Sequence, residues 1–119
     1  MQNWSAAPDM EKEYKVRMTD YALEQMDEVQ QYIAISLAAP DTASRWREHM
    51  KKELASLSQF PNRVPLTEEE PWHSEGVHKM VVGKHLAYFW IDENSFTVWI
   101  TAVVYGSRDQ RRQLSEMPL

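Results

Sequence analysis

The last third of the chain carries the pattern that most narrows its fold: three apolar runs, Val77 to Val82, His85 to Ile91 and Ser95 to Tyr105, separated only by Gly83-Lys84 and Asp92-Glu93-Asn94. Joints of two or three turn-forming residues leave no length for a crossover, so the strands must double back on one another as an antiparallel meander. In the third run Phe96, Val98, Ile100, Ala102 and Val104 alternate with Thr97, Trp99, Thr101, Val103 and Tyr105, and both sets are largely apolar. Such a strand is expected to be central and covered on both faces. Gly106 ends it, and Ser107 to Leu114 (SRDQRRQL) reads as a short basic helical turn.

Upstream, Tyr14 to Thr19 (YKVRMT) sets Tyr14, Val16 and Met18 against Lys15, Arg17 and Thr19, the period-two mark of a strand with one buried face. Thr19 or Asp20 can then cap a helix, in which Ala22, Met26, Val29, Ile33 and Leu37 form one apolar stripe. Ala38-Ala39-Pro40-Asp41 interrupts it, because proline lacks an amide donor and biases the residue before it out of the helix. A second stripe, Ala43, Trp46, Met50, Leu54 and Leu57, follows at once, so the two helices are expected to form an antiparallel hairpin closed by Phe60-Pro61. Asn62 to Gly76 holds two prolines, the run Glu68-Glu69-Glu70 and no period, and is expected to be a solvated loop. The whole is an α+β fold: a flexible tail over 1–12, one domain over 13–114 and a short tail over 115–119.

At 119 residues there is room for one core. Cysteine is absent, which excludes a disulfide framework, thiolate catalysis and thiolate zinc sites and fits a reducing compartment. His49 and His73 stand isolated, so no metal or cofactor site is expected. No stretch approaches the roughly 20 apolar residues of a membrane span, and a cytoplasmic location is expected. The net charge of −5 argues against binding nucleic acid by bulk electrostatics. Much of that charge sits in the first 13 residues, which sum to −2, and in the loop over 62–76, which sums to −3. Residues 77–114 carry +2 through Lys79, Lys84, Arg108, Arg111 and Arg112.

The segment from Glu75 to Leu114 resembles the C-terminal half of the RelE/ParE superfamily, the plasmid stabilisation toxins of type II toxin–antitoxin modules. The residues carrying the resemblance are Gly76, His78-Lys79, Gly83-Lys84-His85-Leu86-Ala87-Tyr88, Asp92-Glu93, Thr97 to Val104 and Tyr105-Gly106-Ser107-Arg108-Asp109. The front half agrees in its Y-x-V-x-x-T strand and in the L-x-x-F-P ending at Leu57 to Pro61. The resemblance implies a helical hairpin packed on a small antiparallel sheet ending in the meander, with a cognate antitoxin as partner. It also implies one of two targets. RelE-like members cleave messenger RNA on the ribosome through attack of a ribose 2′-hydroxyl, which needs a cation on the phosphate, a base and an acid. Their middle-strand arginine corresponds to His85, their post-strand arginine to Arg108 and their lysine region to His78-Lys79. Their terminal aromatic falls near Leu114, and nothing aromatic follows Tyr105.

A guanidinium grips phosphate bidentately and stays charged, whereas an ordinary histidine is mostly neutral near pH 7. Histidine at this place is what the ParE-like branch shows, whose members poison DNA gyrase and need no catalytic set. The ParE-like reading is therefore favoured over the ribosome-dependent endoribonuclease and over a non-toxic antitoxin-binding relic. The candidate site residues are His85 and Arg108, with His78 and Lys79 behind them, while Lys84, Arg111 and Arg112 are candidates for partner contact. His78 and Lys79, adjacent on a strand, must point to opposite faces. The plain alternative for His85 is a strand histidine satisfied by a neighbour, and for Arg111 and Arg112 a solvated end. Exposed aromatic residues make a homodimer conceivable.

Overall fold

A computed structural model describes residues 13–106. Strand β1 (Lys15–Met18) leads into α1 (Asp20–Gln31), which continues as a π-helical segment (Tyr32–Ser36) before α2 (Pro40–Ala55). Strands β2 (His78–Val82), β3 (His85–Asp92) and β4 (Thr97–Tyr105) complete the domain. The local signals act as expected at most joints. Thr19 caps α1, its hydroxyl accepting from the Ala22 amide at 3.2 Å, and Pro40 opens α2 where its missing amide costs nothing. Gly83, at φ +60°, takes the first position of the two-residue turn between β2 and β3.

The meander is antiparallel, but the sheet as a whole is mixed. Its order is β1-β4-β3-β2, and β1 lies parallel to β4 with Lys15 opposite Thr97 and Met18 opposite Ile100. Strand β4 is thus central, as its doubly apolar sequence requires. One face of the sheet packs on the helices: Ala22, Met26, Met50, Leu54 and Leu57 close over Ala87, Phe89, Val98, Ile100 and Val103. On the other face Val77, Leu86, Tyr88, Ala102 and Val104 are covered by Tyr21 and by Trp72 from the loop.

Three departures from the sequence pattern matter. The alternation in β4 does not hold through its length: Tyr88 pairs with Ala102 and Phe89 with Ile100, so Thr101 is an extra, bulged residue whose hydroxyl donates to the Tyr88 carbonyl at 3.3 Å. Val98 and Ile100 face the helices, whereas Ala102 and Val104 face away. The stripe of α1 also loses phase. One wider turn over Tyr32–Ser36 rotates the end of the helix, leaving Ile33 half-buried and Leu37, expected on the buried stripe, exposed. Finally, β4 starts at Thr97 instead of Ser95, because Asp92 accepts from the Asn94 amide and Phe96 sits at φ +51°, outside the strand conformation.

The loop is also less solvated than expected. Leu66 bridges to His78, and the amide of Lys79 donates to the Pro65 carbonyl, so the loop covers the start of the β2 edge. Glu69, half-buried, accepts from the Thr67 hydroxyl and pairs with Lys79 at 3.8 Å.

Candidate functional site

The chemistry-bearing residues fall into two groups at opposite ends of β2. At one end the β2–β3 turn presents Lys84 and His85, and the end of β4 brings Tyr105 opposite His85 in register. The bulge at Thr101 decides this meeting. Uninterrupted alternation from Val98 and Ile100 would turn Tyr105 away from the helices; the extra residue returns it to the helical face, beside His85. The two rings meet edge to face at 5.6 Å, and the Trp46 ring of α2 lies 5.3 Å from His85 on another side. The amide of Gly106 donates to the Lys84 carbonyl at 2.8 Å and locks the strand ends together, and a Cβ at Gly106 would press to 3.2 Å from that carbonyl.

His85 is half-buried, and burial pushes its pKa below the ordinary histidine value. Its ring is therefore neutral near pH 7. Packed between two aromatic rings, it suits recognition by shape and hydrogen bonding better than it suits holding a phosphate. In front of it opens a groove of about 630 Å³ between the sheet end and the helices, with Val29, Ile33 and Leu37 on its helical side. Glu28 stands on the helical lip and Lys84 on the sheet lip.

The other candidates lie elsewhere. His78 shares the helical face with His85 but sits four residues further along the β3 register, opposite Phe89, roughly 13 Å away at the usual strand rise. It is buried, stacked flat on Phe89 at 4.8 Å, and its Nδ1 lies 2.7 Å from the Val64 carbonyl. Lys79 points to the opposite face, where Glu69 holds it. Arg108, Arg111 and Arg112 lie outside the described residues. Trp46 and Tyr105 complete the His85 site, yet the sequence pattern assigned Trp46 only to a helical stripe. Tyr105 could have been found by pairing residues outward from the joint between β3 and β4, from Asp92 with Thr97 to His85 with Tyr105, given the bulge. Tyr88, in the same motif, is fully buried on the far face. Its hydroxyl has no hydrogen-bond partner among the described residues, and burial, helped by Glu69, pushes its pKa up to about 12. It stays a neutral phenol. Among the described residues no cluster of histidine and carboxylate side chains could hold a metal, and no helix is long and apolar enough to cross a membrane.

Comparison with known proteins meets this geometry at the level of family. The family described as ParE toxin of type II toxin-antitoxin system, parDE, matches residues 16–110. The chain belongs to the ParE toxin family. Among solved structures it is similar to one titled as the chromosomal ParDE toxin–antitoxin system from P. aeruginosa, with 17% identity, a TM-score of 0.66, and 83% of this chain and 99% of that one covered. A structure of the toxin–antitoxin complex RelBE2 from Mycobacterium tuberculosis aligns at 20% identity and a TM-score of 0.57, covering 82% of this chain and 97% of that one. A mutant of the E. coli toxin RelE in the free state aligns at 13% identity with a TM-score of 0.57, covering 85% and 92%. At such identities these structures establish a shared fold. No curated protein matches the sequence.

Proposed function

We propose that this ParE-family chain acts as a gyrase-directed poison, held inactive by a cognate antitoxin, and not as a ribonuclease. The observation that carries the reading is the state of His85. Where RelE-like sequences place a permanently charged arginine, this chain has an imidazole that burial keeps neutral, framed by Trp46 and Tyr105 at the head of an apolar groove. A neutral ring in such a frame contributes little to holding a phosphodiester anion or to the further charge that develops in the transition state. It fits a protein contact well, since aromatic side chains lining a desolvated pocket are the usual anchors of interfaces. Lys84 supplies a cation at the rim, and Arg108, Arg111 and Arg112 stay candidates for partner contact. His78, tied to Val64, and Lys79, tied to Glu69, serve the fold in this reading. The antitoxin would neutralise the chain by laying an apolar segment over the helical hairpin and the groove, hiding His85. Gyrase works in the cytoplasm, and the chain would work there too.

The test is a pair of assays on purified protein. Gyrase incubated with the chain should accumulate cleaved DNA and lose supercoiling activity, and translating ribosomes should leave their messenger RNA intact. Normal supercoiling at micromolar excess of the chain would overturn the proposal. Cleavage of ribosome-bound messenger, abolished by Arg108→Ala, would replace it with the ribonuclease reading.

A further inference from the structure

The groove has a property that neither target explains. Its two lips carry one charge each of opposite sign, Glu28 on α1 and Lys84 in the β2–β3 turn, and among the described residues neither has an ion-pair partner. Both are exposed. Between and beside them lie large apolar side chains left open to solvent: Tyr32 is 58% exposed, Ile35 73%, Leu37 55% and Tyr105 51%. The π-helical turn enlarges this surface, because it rotates Leu37 off the buried stripe to join Tyr32 and Ile35, which lie outside that stripe. A patch of aromatic and branched side chains at one end of a small domain is more than solvent exposure alone would leave uncovered.

A contact between two identical copies related by a two-fold axis must be self-complementary: where a residue of one copy meets a second residue of the other, the reverse contact is made as well. A uniformly acidic or basic rim fails that condition, since it would face itself. A groove with an apolar floor, one carboxylate on one lip and one ammonium on the other meets it: the axis brings Glu28 of one copy to Lys84 of the other, twice over, while the floors close on each other.

We propose that this groove is a homodimer interface, with a second copy of the chain as its occupant. Its formation covers Tyr105 and the entrance to His85, so self-association and engagement of any other partner by that end of the molecule exclude one another. The inference stands on the surface itself and does not depend on the target being gyrase.

Sedimentation velocity across a concentration series tests it, with circular dichroism confirming that each variant is folded. The wild-type chain should be a reversible dimer, weakened by salt because its rim pairs are exposed. Glu28→Lys and Lys84→Glu each turn two attractions into two repulsions and should each raise the dissociation constant by about tenfold or more. The deciding measurement mixes the two variants. Glu28→Lys presents two lysines and Lys84→Glu two glutamates, so together they should form a one-to-one dimer tighter than either alone. The double variant, Glu28→Lys with Lys84→Glu, should likewise regain wild-type association. A wild-type chain that stays monomeric at its highest soluble concentration would overturn the proposal, as would a mixture that associates no better than its components. If the wild type is monomeric and removal of residues 107–119 makes it dimerise, the groove belongs to the chain's own C-terminal segment.

Discussion

Two histidines stand on the same face of one sheet, each opposite an aromatic residue on the neighbouring strand, and the fold uses them in opposite ways. His78 is buried, lies flat on Phe89 and commits Nδ1 to the Val64 carbonyl, which fastens the loop over the edge of β2. His85 is half-buried, meets Trp46 and Tyr105 at an angle and opens onto a groove, with no hydrogen bond to its ring among the described residues. Residue type and strand position are the same. The difference lies in what the next layer of chain supplies: a carbonyl that satisfies the ring at one end of the sheet, and open surface at the other.

If that contrast is right, the largest effect on stability should come from His78→Ala. It removes a buried stack and leaves the Val64 carbonyl without its imidazole, which should cost about 2–4 kcal/mol. His85→Ala should cost less, about 1 kcal/mol, because its ring is only half-buried and its loss leaves no buried polar group unsatisfied. Urea unfolding of the two variants side by side checks both, and equal losses would erase the distinction. Activity should rank them the other way: His85→Ala, still folded, should lose about tenfold or more in gyrase inhibition if the pocket anchors the partner.

A smaller effect concerns the hydroxyl of Tyr88. Because it is buried without a partner among the described residues, Tyr88→Phe should leave stability unchanged or raise it by up to about 1 kcal/mol. The raised pKa adds a sign that can be checked. The unfolded chain ionises this phenol near its ordinary value of 10.0 and the folded chain only near about 12, so the wild type should lose stability as pH rises through that window. Tyr88→Phe should remove that loss. The smallest effect is the acid counterpart at His85. Its folded pKa lies below the ordinary histidine value of 6.5, so the unfolded state takes up the proton first and stability should fall as pH drops below that value, then level off beneath the folded pKa. His85→Gln should flatten this part of the thermal midpoint profile, and an unchanged profile would mean that the ring titrates as freely folded as unfolded.

How far the sequence could reveal this molecule depended on how local each signal was. The two tight joints of the meander, the Thr19 cap and the break at Pro40 are each decided by a few adjacent residues, and each stands where the pattern puts it. The parallel pairing of β1 with β4 is set by packing between segments some eighty residues apart, and no neighbouring residue announces it. The bulge at Thr101 was hidden for a different reason. When both residue sets of a strand are apolar, alternation no longer says which face is which, and an extra residue leaves no gap in the pattern. The π-helical turn likewise has no composition of its own. The site reads accordingly: His85 and Lys84 were visible in a short motif, while Trp46, Tyr105 and Glu28 join them only through the bulge, the helical turn and the crossing of layers.

The pairing of Lys15 with Thr97 carries a consequence for how the protein is made. A ribosome releases the first strand early, yet that strand has no strand to join until the last one has left the exit tunnel. Met26, Met50 and Leu57 must wait as well, since the sheet that buries them is synthesised after they are. The fold therefore cannot be completed on a truncated transcript's product, and any helper that shields the helical hairpin during synthesis would do so before the His85 groove exists.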